Sequence, residues 1–518
     1  VFVGDWAARG AAYWPSKIAV VDDATGRSFT YADMERRSES VAAWLRNEGV
    51  GRGDRVGALA HNGVEILDLL FACGKLGAIF VPYNWRLAGP ELDGFLSMTT
   101  PRFLFCSGEL LAAGRGAAER IAKSAPVDVI DVGVPGAGSD AYADILATRS
   151  ETPVREEALH AEDTWVLLFT GGTTGLPKAV KVSHRMAAWN VLTTTIHHVR
   201  HDDVTVVHTP MFHTGGLFVH ALPVLTLGGK VVILRRWDAA KVLALVPSDK
   251  LSVFFAVPTQ LQEMAAQPGF READFSSLRL LISGGAPLPL AVPRLYREQH
   301  GIPVAQGFGM TEFGPNALML SSDEAEARAG SIGKPNYFVD ARVVGKGGAA
   351  ALAGEVGELC LRGGGLCSGY FGVPGDALGE DGWFHTGDLA RVDDGYFTIV
   401  GRLKDMFVSG GENVYPLEIE DALYLLPGGR VRQCAVIGVP DDKWGEVGHA
   451  FVVPADGAEL REAEVMAFLR TRLAGYKVPK RLEIVDALPI SAAGKILKTE
   501  LRERVHASRA TTMAKVAS

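Results

Sequence analysis

The sequence predicts an α/β protein with a large N-terminal domain of α/β layers. Its sheets are mostly parallel, a small barrel-like β unit follows, and a small α+β C-terminal domain ends the chain. Three observations carry this. Apolar strand-like runs alternate with helical patterns through about the first four hundred of 518 residues, the pattern of layered sheets with crossover helices. After about residue 350 the runs shorten and glycines multiply, which suggests an antiparallel or barrel-like unit. The last stretch has a helix–strand rhythm of its own and is large enough for a small lid. A chain of this length exceeds one compact core.

The elements follow in order. Thr30 is a helix N-cap with Asp33 three residues on, and Tyr31, Met34, Val41, Trp44 and Leu45 fall on one helical face that Gly49 ends. Arg55 to Ala60 and Ala78 to Val81 read as buried strands around a helix. Lys230 to Leu234, Val253 to Val257 and Leu278 to Ile282 repeat the theme. Glu358 to Arg362 and Tyr396 to Val400 are the short strands of the glycine-rich part. Pro416 to Leu425 reads as helix and Arg432 to Val439 as strand. The boundary falls near Arg402 to Lys404, giving domains 1–401 and 402–518, and the small, polar tail after about Val505 is expected to fray.

Composition narrows the function classes. Apolar content of 47% and charged content of 22% are those of a globular protein. The net charge of −8 argues against nucleic acid as the main partner, because a phosphate backbone needs a basic face. Five scattered cysteines contain no Cys-x-x-Cys pair, so a metal or disulfide framework is not expected, and the default is buried thiols in a reducing cytoplasm. No apolar run is long enough to span a bilayer, and no signal peptide is visible at the start, which lacks Met.

The most informative stretch is Thr170-Gly-Gly-Thr-Thr-Gly-Leu-Pro-Lys178, which follows the apolar run Trp165 to Phe169. Gly171, Gly172 and Gly175 let backbone N–H groups point at an anion, Thr170, Thr173 and Thr174 add hydroxyls, and Lys178 adds charge. This is a loop for a nucleoside triphosphate, unless it is an ordinary strand-to-loop turn. It is not a Walker loop, because Gly175 is followed by Leu176 and Pro177. Nor does Gly307-Phe-Gly-Met-Thr-Glu312 make a dinucleotide fingerprint, since Glu312 stands where the last Gly belongs.

Four further words follow in fixed order: Gln306-Gly-Phe-Gly-Met-Thr-Glu312, His385-Thr-Gly-Asp388, Gly401-Arg-Leu-Lys-Asp405 and Pro489-Ile-Ser-Ala-Ala-Gly-Lys495. With them, nearly the whole chain resembles the adenylate-forming superfamily of acyl-CoA synthetases, peptide-synthetase adenylation domains and luciferases. Ser409-Gly-Gly-Glu-Asn-Val-Tyr-Pro416 and Tyr476-Lys-Val-Pro-Lys480 resemble the acyl-CoA synthetase (4-coumarate–CoA ligase-like) branch. The resemblance implies a two-step ligase. A carboxylate attacks the α-phosphate of ATP to give acyl-AMP and pyrophosphate, and the thiol of CoA then takes the acyl group and releases AMP. The first step brings two anions together and needs cations and N–H donors. The second needs a carbonyl screened from water.

The resemblance also implies roles. The loop Thr170–Lys178 holds the β- and γ-phosphates. Thr311 bonds phosphate and Glu312 holds Mg2+, a hard cation suited to carboxylate oxygens; the alternative for Glu312 is a capping or surface carboxylate. Gly284, Gly285 and Ala286 with Gly307, Phe308 and Gly309 form the adenine slot. There Phe308, where relatives often have Tyr, either stacks on the base or simply packs. Asp388 takes the ribose hydroxyls, supported by Arg402, unless it is a turn residue. Lys404 is the pivot of a mobile C-terminal lid, or a plain linker lysine. Lys495 reaches the carboxylate and α-phosphate during adenylation. Gly410, Gly411 and Glu412 face the thiol tunnel when the lid turns. Two departures stand out: Gly171 replaces the usual Ser, and Ser491-Ala-Ala replaces a more basic or Thr-containing approach to Gly494-Lys495.

By resemblance the acid pocket is lined by Phe212, His213, Gly215, Phe255 and Val257, with the strip Ser283 to Ala286. Small and apolar walls suit an aromatic or medium-chain aliphatic acid. His213 either orients the carboxylate or is a structural histidine. No acid in these strips waits for an α-amine, which argues against an amino-acid activating domain. The partners expected are therefore a small carboxylate, ATP and CoA, with neither nucleic acid nor stable membrane insertion, and a homodimer is left open. An acyl-AMP ligase that loads a carrier protein is the alternative; a luciferase-like oxygenase and a degenerate nucleotide sensor stand further off.

Overall fold

The computed structural model describes every residue except 1–2, 135–137, 157, 171–177, 197–198, 287, 346, 376, 491–495 and 517–518, and describes only the backbone from 508 onward. Two compact units emerge. The first comprises Val1–Ala329, Gly333–Asp340 and Arg362–Phe384, and the second Gly330–Ile332, Ala341–Leu361 and His385–Ser518.

Three sheets build the first unit. The largest runs in the order Asp128–Gly133, Phe103–Ser107, Arg55–Leu59, Ile79–Pro82, Thr164–Thr170, Lys178–Ser183. All neighbours are parallel except the last pair, which is antiparallel. A second sheet places Ile18–Asp22 and Lys230–Ile233 side by side in parallel. In a third, Val253–Ala256, Leu280–Gly284 and Val304–Met310 run parallel before two antiparallel strands complete it. The mostly parallel reading of the sequence holds, and helix Val64–Leu76, mainly apolar, is buried along nearly its whole length, its Asp68 and Lys75 included.

Helix Tyr31–Asn47 starts as its sequence dictates. The Thr30 hydroxyl accepts from the Asp33 amide at 3.1 Å, and the Asp33 carboxylate accepts from the Thr30 amide at 2.9 Å. It stops at Gly49, whose φ of +78° suits a residue without Cβ. Tyr31, Met34, Val41 and Leu45 face the core. The same helix supplies Glu35 and Glu39 to Lys75, a fully buried lysine held by Asp5 at 2.7 Å, Glu35 at 2.8 Å and Glu39 at 3.3 Å.

The expected barrel-like unit is an open sheet of four strands, Val339–Val344, Gly357–Gly363, Phe384–Asp393 and Tyr396–Arg402. Among the described residues these are too few strands to close on themselves; glycines that suggested closure lie in its turns, as at Gly347 and Gly395. In the second unit, Val431–Asp441 and Gly445–Pro454 form a long antiparallel pair, edged by Phe407–Ser409 with Glu412–Val414 and by the parallel strand Arg481–Ile484. Ile419, Leu423, Val436, Val452 and Leu469 fill its core. Helix Lys498–Val516 continues through the tail that was expected to fray; ahead of that tail, Leu501 and Val505 are buried. Among the described residues no helix is long and apolar enough to cross a membrane.

Candidate active site

Three parallel strands bring their carboxyl ends to one edge, the place where open α/β sheets bind ligands. Phe255 pairs with Ile282 and Gly284 with Gly307. A Cβ on Gly284 would stand 2.7 Å from the Gly307 carbonyl oxygen, so only glycine fits there. Gly309 is equally constrained, with Pro315 backbone atoms 2.3 Å from where its Cβ would be. Gly285, at φ +81°, and Ala286 are exposed beyond the strand end. Phe308 is half-buried in strand Val304–Met310, and Thr311 and Glu312 are half-buried in the turn that follows.

Phe255 joins this edge to the expected acid pocket. A Cβ at Gly215 would lie 3.6 Å from its ring, as would one at Gly284. The ring therefore lies between two glycines, and Val257 stands beside Gly285, 3.7 Å from its absent Cβ. Phe212 is buried, with its ring 4.5 Å from that of His213, the N-cap residue of helix Thr214–Leu217. His208, which the sequence reading passed over, donates from Nε2 to the Phe255 carbonyl at 2.8 Å. Burial pushes its pKa down to about 4, so the donor is a neutral imidazole at pH 7. No motif announces it.

On the phosphate side, Thr170 pairs with Lys178 at the mouth of a hairpin. Gly171, Gly172, Thr173, Thr174 and Gly175 lie outside the described residues. Residues 368–371 run beside the second hairpin strand: Phe371 donates to the Ala179 carbonyl at 2.8 Å and Lys181 to that of Gly369 at 3.0 Å. This carries Tyr370 to Lys178, whose Nζ sits 4.8 Å from the ring centroid. The Tyr370 hydroxyl donates to Glu312 Oε1 at 3.4 Å. Burial first, and then the Glu312 charge, push the phenol pKa well up, so it remains a donor. Lys178 and Glu312 thus meet through a residue that sequence reasoning missed; its one signal was an aromatic residue in the glycine-rich run Gly363 to Gly372. The Glu312 carboxylate and Thr311 hydroxyl are hard oxygen donors, the chemistry Mg2+ requires.

In the second unit Asp388 is buried and pairs in register with Arg402, whose Nε lies 2.8 Å from its Oδ1. Exposed Lys404 stands between that pair and Asp405, which Arg502 of the last helix holds at 2.8 Å. Gly410 and Gly411, at φ +60° and +88°, make the tight turn between Phe407–Ser409 and Glu412–Val414; Glu412 is exposed. Behind the turn lies Trp444, a second residue missed. It is 39% exposed. Its carbonyl accepts from Gly410 at 2.9 Å, and Lys443 Nζ and Lys480 Nζ stand 4.9 and 5.7 Å from its ring. A tryptophan in the polar turn Asp441-Asp-Lys-Trp-Gly445 was the available signal. Lys495 lies outside the described residues.

Residues 7–371 match the family model described as AMP-binding enzyme, and residues 418–495 that described as AMP-binding enzyme C-terminal domain. The chain belongs to the AMP-binding enzyme family. Among its relatives, the feruloyl-CoA synthase of an Amycolatopsis species is 43% identical, over 97% of this chain and 99% of that protein. The indoleacetate–CoA ligase of Aromatoleum aromaticum is 35% identical, over 97% and 98%. The crystal structure of ATP-bound MatB from Rhodopseudomonas palustris aligns with a TM-score of 0.89 at 33% identity, over 97% of this chain and 99% of that one.

In this AMP-binding enzyme, Glu358 positions the turn that presents Asp388. One carboxylate oxygen binds His385 Nδ1 at 2.8 Å and the other the Gly387 amide at 3.0 Å. Thr386 completes the turn, donating to the Leu359 carbonyl at 2.7 Å and accepting from the Asp388 amide at 3.1 Å. Glu358, Cys360 and His385 bring ligand-type atoms within 4.8 Å of one another, but both Glu358 oxygens are already committed to the clamp. All five cysteines are free and buried. Glu358→Ala is expected to raise KM for ATP about tenfold, with kcat changed much less, because hydrogen bonds to a carboxylate that fix Asp388 are lost. Steady-state kinetics at varied ATP tests this; a fall in kcat at constant KM would contradict it.

Proposed function

We propose that this AMP-binding enzyme is an ATP-dependent ligase that activates an aromatic carboxylic acid and passes it to CoA. The observation that carries the choice of acid is the Phe255 ring set between Gly215 and Gly284, with neither glycine filling the space beside it. A flat acyl group stacks on such a ring at little steric cost. The two relatives named above, a feruloyl-CoA synthase and an indoleacetate–CoA ligase, agree with an aromatic acid.

In the first step the carboxylate attacks the α-phosphate of ATP and pyrophosphate leaves. Lys178 and the loop 171–177 hold the phosphates, and Thr311 donates to them. Glu312 holds Mg2+, which when bound offsets phosphate charge; Tyr370 fixes that carboxylate. The adenine lies against Gly284 to Ala286 and Phe308, and Asp388 with Arg402 takes the ribose. Lys495 supplies the charge beside the attacking carboxylate. In the second step the CoA thiol attacks the acyl carbon and AMP leaves. Trp444 offers the CoA base a ring face, with Lys443 and Lys480 for its phosphates and the Gly410-Gly411-Glu412 turn alongside. By the family resemblance the chain has a hinge near residue 402, with Lys404 as its pivot.

The test is pyrophosphate release over hydroxycinnamic, arylacetic, benzoic and fatty acids, with and without CoA. The expected result is a preference of about tenfold or more for an aromatic acid over a fatty acid, with the matching acyl-CoA as product. Preference for a medium-chain aliphatic acid would overturn the aromatic assignment. Pyrophosphate release with no CoA product would favour a carrier protein as acceptor.

A further inference from the structure

Thr209 stands beside the acid pocket, yet none of the residues assigned to that pocket by resemblance includes it. Outside its own helix, a Cβ at Gly215 would have two atoms within 4 Å, Thr209 Cγ2 at 3.4 Å and Phe255 Cε1 at 3.6 Å. The bare Gly215 Cα is therefore the floor of a hollow. The Thr209 methyl is one of its sides and the edge of the Phe255 ring is the other. The next glycine offers nothing comparable, because a Cβ at Gly216 would meet the Pro210 carbonyl oxygen at 2.3 Å. Thr209, Gly215 and Phe255 are each half-buried, so all three keep surface that a ligand can touch.

Both sides of the hollow are held in place. Asn62, buried, donates to the Thr209 carbonyl at 3.0 Å and to the Leu234 carbonyl at 3.2 Å, and accepts from the Met211 amide at 2.9 Å. Its amide is thus engaged at both ends. His208 ties the same segment to the opposite side through the Phe255 carbonyl. The imidazole is itself packed against Trp237 and Phe254, with ring centroids 4.7 and 5.3 Å away. Walls fixed by buried hydrogen bonds and close packing do not retreat from an extra carbon, so such a hollow selects by size.

We propose that Thr209 is a specificity-determining residue of the acid pocket, whose methyl group limits a hollow for one small apolar substituent on the ring of the acid. The inference rests on the aromatic reading above. An acyl ring stacked on Phe255 carries its substituent past the edge of that ring and onto Gly215. A methyl group fits there, whereas an ethyl group runs into Thr209.

The test is kcat/KM for cinnamic acids with a methyl or an ethyl group at the ortho, meta or para position of the ring. At the position that reaches the hollow, the unaltered chain should favour methyl over ethyl by about tenfold or more, the effect of one extra methylene in a filled pocket. Thr209→Ser removes the limiting methyl and should bring the two acids to within about threefold of each other. Thr209→Val keeps a branched side chain of the same shape and should retain the preference for methyl. A loss of folding or of nucleotide binding would lower both acids together and leave their ratio alone, so the ratio reports the pocket. Absence of a methyl preference at every ring position of the unaltered chain overturns the proposal. So does a preference that Thr209→Ser leaves intact, or one that Thr209→Val abolishes. An unaltered chain that uses fatty acids and no cinnamic acid overturns the aromatic reading together with this inference. One that uses cinnamic acids without the effect of Thr209 overturns this inference alone.

Discussion

Replacing Lys495 by alanine is expected to lower acid-dependent pyrophosphate release by about 10²–10³-fold, the usual cost of removing one charged or hydrogen-bonding group from a developing charge. The reason lies in the chemistry of the first step. A carboxylate and a triphosphate repel each other, and in the mechanism proposed above Lys178 and Glu312 serve the phosphates alone. The carboxylate needs a cation of its own, and Lys495, in the word Pro489 to Lys495, is the residue the family resemblance assigns. The second step has no such need, because the acyl-adenylate already exists. Thioester formation from supplied acyl-adenylate should therefore survive in Lys495→Ala. Measuring the two half-reactions separately decides it: equal loss of both would mean that Lys495 holds the fold or the nucleotide, not the attacking acid.

The largest stability effect is expected at Lys75. Its ammonium is fully buried among Asp5, Glu35 and Glu39. Burial raises the Glu35 pKa, and the Lys75 charge is what opposes that shift. Lys75→Ala leaves three carboxylates together without their cation, a loss of about 3–5 kcal/mol by comparison with other broken buried pairs. Combining Lys75→Met with Asp5→Asn, Glu35→Gln and Glu39→Gln removes the charges together and should restore most of the stability. Urea unfolding followed by tryptophan fluorescence reports on this unit, whose Trp165 lies in the same core. A Lys75→Ala midpoint equal to that of the unaltered chain would refute the argument.

Much of this protein was legible because its signals are local. The Thr30–Asp33 cap, the turn at Gly49 and the apolar strands each depend on residues a few positions apart, and the structure follows them within a residue or two at most ends. Ordered words carried the family resemblance, which the family models match. What the sequence did not yield was pairing between distant segments. Tyr370 reaches Lys178 and Glu312 only because residues 368–371 lie along the hairpin strand. His208 matters through the backbone of Phe255, and Trp444 through a turn closed by Gly410. The open four-stranded sheet was misjudged for the same reason. Glycine frequency reports bends, whereas closure depends on which edges find partners.

The two glycines that flank Phe255 are not equivalent, and this bears on how such an enzyme changes its diet. Gly284 is pressed against the Gly307 carbonyl as well as the ring, so any enlargement there disturbs the strand pair. Gly215 meets only the Thr209 methyl and the Phe255 ring, at 3.4 and 3.6 Å. Selection, natural or in the laboratory, therefore has one side of the ring free to adjust. On the reading proposed above, descendants of this chain acquire new acids at Gly215 while the fuel they burn stays the same.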